Sequence, residues 1–355
     1  MVRAPLGKRE GARSRRAPVT GFPARPRRSA CADKRRPTHY APRHASLRTA
    51  RPRPRGRLPR VTSAPALFAL ATLIWGSTWL AITFQLGTVA PEVSVAYRFA
   101  LAAALLATWC RATGRSLSFS RRDHAFLAAQ GVLMFGANYV AVYQAERHLT
   151  SGLVAVLFST IVFMNPIGMR LAYGAPLASR TIVAAVLGVA GVVLLFLPEL
   201  ATARQSSTVA LGIALALGAT LLATGGNLIA VRNHRASVGV FEGTAWGMAW
   251  GALTAALIAV ATGAPLSFDP RPAYWLSLLY LAVFGSIVAF GAYFTLLKKA
   301  GVGVAGYTGV TTPVIAVLLS TLFEGFAWTS TAVLGVALAV AGNAITLRRG
   351  AVSTS

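Results

Sequence analysis

From residue 65 onward the chain alternates between long apolar runs and short polar breaks. The runs cover approximately 65–86, 91–110, 124–145, 149–169, 181–198, 208–231, 238–262, 273–296, 301–323 and 327–347. A helix needs about 20 apolar residues to cross the hydrocarbon core of a bilayer, and each run is close to that length. Backbone polar groups inside lipid must find partners within their own segment, so runs this long predict helices. The alternating pattern of a membrane β-barrel is absent. The pattern predicts an all-α integral membrane fold of ten transmembrane helices joined by short connections.

Composition agrees. The 355 residues are 55% hydrophobic and 12% charged, with mean hydropathy +0.59, whereas a soluble domain carries about 25% charged residues. A net charge of +26 would by itself suggest a nucleic-acid binder. The charge is unevenly placed, however. Residues 1–60 hold 19 Lys/Arg against two acids, and residues 61–355 hold 16 against seven. The first segment is rich in Arg, Pro, Ala and Ser, as in Arg51-Pro52-Arg53-Pro54-Arg55. It lacks apolar periodicity, so residues 1–62 are expected to form a disordered basic tail. Val61 directly precedes the first span. Translation is expected to begin near it, with residues 1–60 read from upstream DNA. No apolar signal-peptide core interrupts the tail.

The remaining charges predict orientation through the cytoplasmic bias of Lys and Arg. Arg111, Arg115, Arg121, Arg122, Arg170, Arg180, Arg232, Arg235, Lys298 and Lys299 fall in even-numbered connections, and Arg348 and Arg349 follow the last span. Only Arg147, Arg204 and Arg271 fall in odd-numbered ones. Both termini are therefore expected in the cytoplasm, in a bacterial inner membrane. The end of span four, Arg170 to Gly174, is weakly echoed by Leu322 to Gly325 at the end of span nine, each followed by a Gly-containing helix. A five-helix unit is odd-numbered, so its second copy must enter the membrane inverted, an arrangement typical of secondary transporters.

The residues then resemble a known family. Trp75-Gly76-Ser77-Thr78-Trp79, Pro91 with Arg98-Phe99, Ser151-Gly152-Leu153, Thr312-Pro313-Val314, Phe323-Glu324-Gly325, Gly335 and Gly342-Asn343 together resemble EamA-type proteins of the drug/metabolite transporter superfamily. The resemblance spans 63–349. It implies two inverted five-helix repeats, 63–198 and 208–349, and export or exchange of small metabolites such as amino acids. The usual Gly-Glu after span four reads Gly174-Ala175 here, so no role borrowed for that acid applies.

Among candidate site residues Arg98 stands out. It lies about 10 Å along span two, and an ionisable residue inside a span is a functional candidate by default. A guanidinium facing a cavity would bind a carboxylate in fork geometry; the competing reading is a snorkelling or structural arginine. Glu242, a turn into span seven, is the candidate proton-coupling carboxylate; snorkelling into headgroups is its alternative. Trp75, Ser77, Thr78, Asn138, Tyr139, Tyr143, Asn227, Trp246, Tyr293, Tyr307 and Thr311 complete a candidate substrate-binding set, with Pro313 as a bend in span nine. Interfacial or packing roles compete for the aromatic members. Gly243, Gly247 and Gly251 recur every fourth residue, which allows close helix approach. Packing within the bundle is favoured over a dimer face, and a homodimer stays open.

The five histidines lie outside the spans or at their edges, and neither a metal-ligand spacing nor a phosphate-binding glycine loop occurs. An enzyme, a metal or a cofactor is therefore not expected. The expected partners are a small-molecule substrate and the lipid bilayer, with protons as candidate coupling ion and no nucleic acid. The alternatives are an uncoupled exchanger or facilitator, and a membrane scaffold with a polyanion-binding tail.

Overall fold

The computed structural model describes residues 63–195 and 207–347; the basic tail expected over 1–62 lies outside them. No strand occurs among the described residues. The helices are α1 (Ala64–Thr83), α2 (Pro91–Ala112), α3 (Arg121–Ala145), α4 (Ser151–Tyr173), α5 (Ser179–Leu195), α6 (Ser207–Arg235), α7 (Val240–Ala261), α8 (from Pro272 to Gly306), α9 (Thr308–Phe323) and α10 (Ser330–Leu347). Seven of them are long and apolar enough to cross a membrane, while α5, α9 and α10 are shorter apolar helices.

Local chemistry explains most boundaries. Pro91 and Pro272 open α2 and α8, where the missing N–H has no intrahelical partner to lose. The Ser120 hydroxyl caps α3 by accepting from the Asp123 N–H at 3.1 Å. Gly174 closes α4 in the left-handed region at φ 66°, a conformation that costs glycine little. Inside α4 the helix breaks at Ser159 and Thr160, whose hydroxyls donate to the carbonyls of Val156 and Leu157 at 2.7 Å each.

One boundary differs from expectation. The charged pair Lys298-Lys299 looked like the connection after span eight, but the backbone stays helical through it to Gly306, and α9 begins at Thr308. Helix hydrogen bonding is indifferent to side-chain charge, so the hydropathy break and the backbone break fall in different places. Two π-helical stretches, Val132–Ala137 in α3 and Leu281–Val288 in α8, left no periodic signal in the sequence.

The most extensive pairings join α5 to α10, α3 to α6 and α2 to α7, and the first half of α4 packs on α9. Small residues permit the closest approaches. Added Cβ atoms at Gly247 and Gly251 would meet the Phe135 side chain of α3, so the glycine stripe of α7 is used inside the bundle. The outward faces are apolar: Ile182, Val183, Val186 and Val189 of α5 and Val333 and Leu334 of α10 are all more than half exposed. Water would penalise such faces and hydrocarbon does not.

Polar contacts gather at the two ends. At one end Arg115 pairs with Glu242 at 3.1 Å and Arg232 with Asp123 at 2.8 Å. At the other, Gln144 donates to Glu92 at 3.2 Å, the Ser151 N–H and hydroxyl both donate to Glu324, and Arg271 pairs with Asp269 at 2.5 Å. Partial unwinding at the π-helical stretches falls between these ends, beside the buried polar groups described next.

Candidate substrate-binding site

Arg98 is the eighth residue of α2 and is 1% exposed. Its Nε donates to the Ser286 hydroxyl at 3.3 Å and its Nη1 to the Tyr143 hydroxyl at 3.4 Å. Its guanidinium carbon lies 4.6 Å from the Tyr139 ring centre and 5.1 Å from that of Phe99. Tyr143 in turn donates to Gln85 Oε1 at 2.9 Å. Every one of these groups is neutral. Among the described residues no carboxylate lies within ion-pair distance of Arg98. A buried cation held only by neutral groups keeps a large desolvation cost, which a bound anion would offset.

The helix register supplies this arrangement. Tyr139 and Tyr143 are four residues apart on α3 and so share a face. Ser286 lies in the π-helical part of α8, where its hydroxyl also donates to the Leu281 carbonyl five residues back at 2.9 Å. π-helical insertions re-aim side chains and recur at functional sites. Beside Ser286, Gly285 is the point where α1, α2 and α8 converge. Its carbonyl accepts from Trp75 Nε1 at 3.3 Å, and an added Cβ would sit 2.8 Å from Thr78 Cγ2 and 3.4 Å from Arg98 Nη2. Trp75 also packs on Tyr293 at 5.1 Å, and Ser77 bonds Tyr280 of α8 at 2.7 Å.

Thus Trp75, Ser77, Thr78, Arg98, Tyr139, Tyr143 and Tyr293 form one group. The other expected residues lie apart from it. Asn138 Nδ2 donates to the Met134 carbonyl at 3.2 Å on its own helix. Asn227 of α6 donates to Asn165 of α4 at 3.3 Å. Trp246 donates to the Leu117 carbonyl at 2.8 Å, which ties down the connection before α3. Thr311 donates to the Tyr307 carbonyl at 3.1 Å in the first turn of α9, and Pro313 borders a void of about 10 Å³ with Asn343. Glu242 is occupied by Arg115, itself about half exposed. An apolar cavity of about 310 Å³ between α2, α7 and α8 is lined by Leu105, Trp109, Phe241 and Ile287 among others.

The residues missed from sequence are Gln85, Tyr280, Gly285, Ser286 and Glu146. Gln85 carried a weak signal, as a strongly polar residue at the end of span one. Ser286 and Gly285 are unremarkable small residues in an apolar run, and only the π-helical backbone brings them to Arg98. Glu146 reads as a charge in a connection, yet it is 7% exposed and neither of its carboxylate oxygens has a hydrogen-bond partner.

With this geometry in place, relatives become informative. The profile of the EamA-like transporter family matches the chain twice, over residues 62–197 and 210–348. The chain belongs to the EamA-like transporter family. Protein PagO of Salmonella typhimurium is 27% identical over 295 residues, covering 81% of this chain and 94% of that protein. YedA of Escherichia coli K12, described as an uncharacterized inner membrane transporter, is 29% identical over 263 residues, covering 73% and 82%. A solved crystal structure, 20% identical, superposes with a TM-score of 0.59 over 81% of this chain and 98% of that one, and so shares the fold.

Proposed function

We propose that this protein is an inner-membrane secondary transporter that exports small carboxylate-bearing metabolites, such as amino acids, by alternating access, with Arg98 binding the carboxylate. The observation that carries the reading is Arg98 itself: 1% exposed, oriented by Ser286, Tyr143 and two aromatic rings, and without an ion-pair partner among the described residues. A planar guanidinium fixed in this way is preorganised for two parallel bonds to a carboxylate. Its burial means that substrate reaches it only when helices part, as alternating access requires. The rings of Tyr139, Trp75 and Tyr293 would face the apolar part of the solute.

The repeats, 63–198 and 208–349, are part of the same proposal. Three pairings join a helix to the one five places on, α2 with α7, α5 with α10 and α4 with α9, and the packing of α1 on α8 is matched by that of α6 on α3. The π-helical stretches fall in α3 and α8, and the internal prolines Pro166 and Pro313 in α4 and α9. A two-fold axis in the membrane plane would generate these correspondences, and the double family match supports them. Ten spans and cytoplasmic termini follow from the charge bias. YedA's description as an inner membrane transporter supports the location. The ion pair with Arg115 favours an anchoring role for Glu242 over the coupling role expected from sequence.

The test is a toxicity-rescue screen with a panel of amino acids and analogues in a host lacking its own exporters, followed by counterflow of the rescued compound in proteoliposomes. Arg98→Ala is expected to lower flux at least about tenfold, the worth of one charge-assisted bond, while the protein still inserts. Wild-type flux in Arg98→Ala removes Arg98 from the site. Failure of every compound in the panel removes the amino-acid reading.

A further inference from the structure

Glu146 follows the last residue of α3, and its N–H bonds the Val142 carbonyl at 3.0 Å. Glu146 and Tyr143 are three residues apart on one helical face, so the carboxyl sits one turn beyond the tyrosine that holds Arg98. It is buried, and both its oxygens lack hydrogen-bond partners. The neighbouring acid, Glu324 at the end of α9, is by contrast satisfied by the N–H and hydroxyl of Ser151. A buried carboxylate without donors is expensive, whereas a carboxylic acid at the same place is not.

We propose that Glu146 is the proton-binding site of this transporter, taking up a proton from the aqueous phase at its end of the bundle and carrying it together with the substrate anion on Arg98. The proposal rests on Arg98 as the substrate site and adds the coupling ion. The charged groups that act on Glu146 are Glu324 of α9, whose negative charge opposes ionisation, and Arg98 of α2, whose positive charge favours it. Burial is the largest influence, and it pushes the carboxyl well above the usual carboxylate range. Tyr143 is the titratable neighbour on α3. In the adjoining connection Arg147 is turned to Gln144 at 3.0 Å, and His148 packs against Gly212 of α6. Helix α1 has no ionisable side chain, and those of α4 and α6 lie in their far turns.

The linkage has a definite sign. An anion on Arg98 cancels the one charge that favours Glu146 carboxylate, so substrate binding raises proton affinity. Reciprocity then requires that protonation strengthen substrate binding by the same factor. Proton and substrate move in the same direction. Net direction follows the two gradients together, and export occurs when the outward metabolite gradient exceeds the inward proton gradient that opposes it.

Two measurements test this. In the first, infrared difference spectra of the purified protein between acidic and alkaline pH use no substrate. Wild type is expected to show a protonated-carboxyl band that Glu146→Gln lacks, and the band persists to higher pH in Arg98→Met. An identical band in Glu146→Gln overturns the assignment, whatever the standing of Arg98. In the second, proteoliposomes loaded with a pH dye are driven by a gradient of the amino acid that wild type moves in the rescue screen. Wild type acidifies the compartment that receives substrate and binds about tenfold tighter in acid, a typical coupling factor. Glu146→Gln, isosteric with the protonated form, loses the proton movement and the pH dependence of affinity. If Glu146→Gln does not accumulate, Glu146→Asp carries the same assay, with the pH midpoint displaced. Retained wild-type pH dependence, or dependence on sodium in place of protons, refutes the proposal. Wild-type flux in Arg98→Ala instead refutes the substrate site on which it rests.

Discussion

Gly285→Ala probes the convergence of α1, α2 and α8 at Arg98. The added Cβ would lie 2.8 Å from Thr78 Cγ2 and 3.4 Å from Arg98 Nη2. Relaxed carbon contacts sit at about 3.5–4.0 Å, so the threonine contact is about 1 Å too short. Thr78 is poorly placed to yield, because its Oγ1 is committed to the Trp75 carbonyl at 2.8 Å and its χ1 is β-branched. Overpacking of this kind costs about 1–3 kcal/mol. Replacing a helical glycine by alanine returns up to about 1 kcal/mol of propensity. The expected net loss is about 1 kcal/mol, or about 1–2 °C in Tm at about 2 cal/mol/K of unfolding entropy per residue. Tryptophan fluorescence of thermal unfolding in detergent reads it. Gly218→Ala in α6 is the control: nothing lies within 4 Å of its added Cβ, so stability should hold or rise. Thr78→Ser deletes the obstructing methyl and keeps the hydroxyl, so the double variant should recover most of the loss, a coupling of at least about 0.5 kcal/mol. If Gly285→Ala is as stable as Gly218→Ala, or Thr78→Ser gives no recovery, the close approach is wrong.

Gly191→Ala should be harsher than Gly285→Ala. Its Cβ would meet the backbone of α10 at 2.6 Å, at Ala339 N and Gly335 O, and backbone cannot rotate away; the expected fall in Tm exceeds that of Gly285→Ala in the same assay. Trp246→Phe loses the bond to the Leu117 carbonyl, worth about 1 kcal/mol, and should speed tryptic cleavage after Arg115. Asp269 is held down to about 2 by its bonds to Arg271. With the folded value below the ordinary aspartate value of about 4, its stabilising contribution is present above about pH 4 and fades as pH falls towards 2. Amide exchange in the α7–α8 connection should therefore accelerate over that window, corrected for intrinsic rate, and Asp269→Asn should abolish the acceleration.

Helices were legible in the sequence because each apolar run approaches membrane thickness and is bounded by Pro, Gly or charge. Arg98 was legible because a charge within a run has no hydrophobic explanation. The four-residue spacing of Tyr139 and Tyr143 put them on one face of α3, but that this face meets Arg98 appears only in the structure. The rest depends on contacts between distant segments. Ser286 reaches Arg98 only because α8 is π-helical over Leu281–Val288, and nothing in that apolar run marks the change of pitch. Trp246 looked like a depth-placed aromatic, but its partner is a carbonyl 129 residues earlier. Glu146 and Glu242 illustrate the same limit in opposite directions. The acid inside a span is neutralised by Arg115 at an end of the bundle, and the acid assigned to a connection is folded inward without a partner.

The central claim is that Arg98 binds the substrate carboxylate, and a residue–ligand double cycle tests it most directly. Affinity is measured by thermal shift for the transported amino acid and for its amide, on wild type and on Arg98→Met. In wild type the amide should bind at least about tenfold more weakly, as expected for losing a charge-assisted bond, and in Arg98→Met the two should bind alike. An amide penalty that is the same in both proteins would contradict the account.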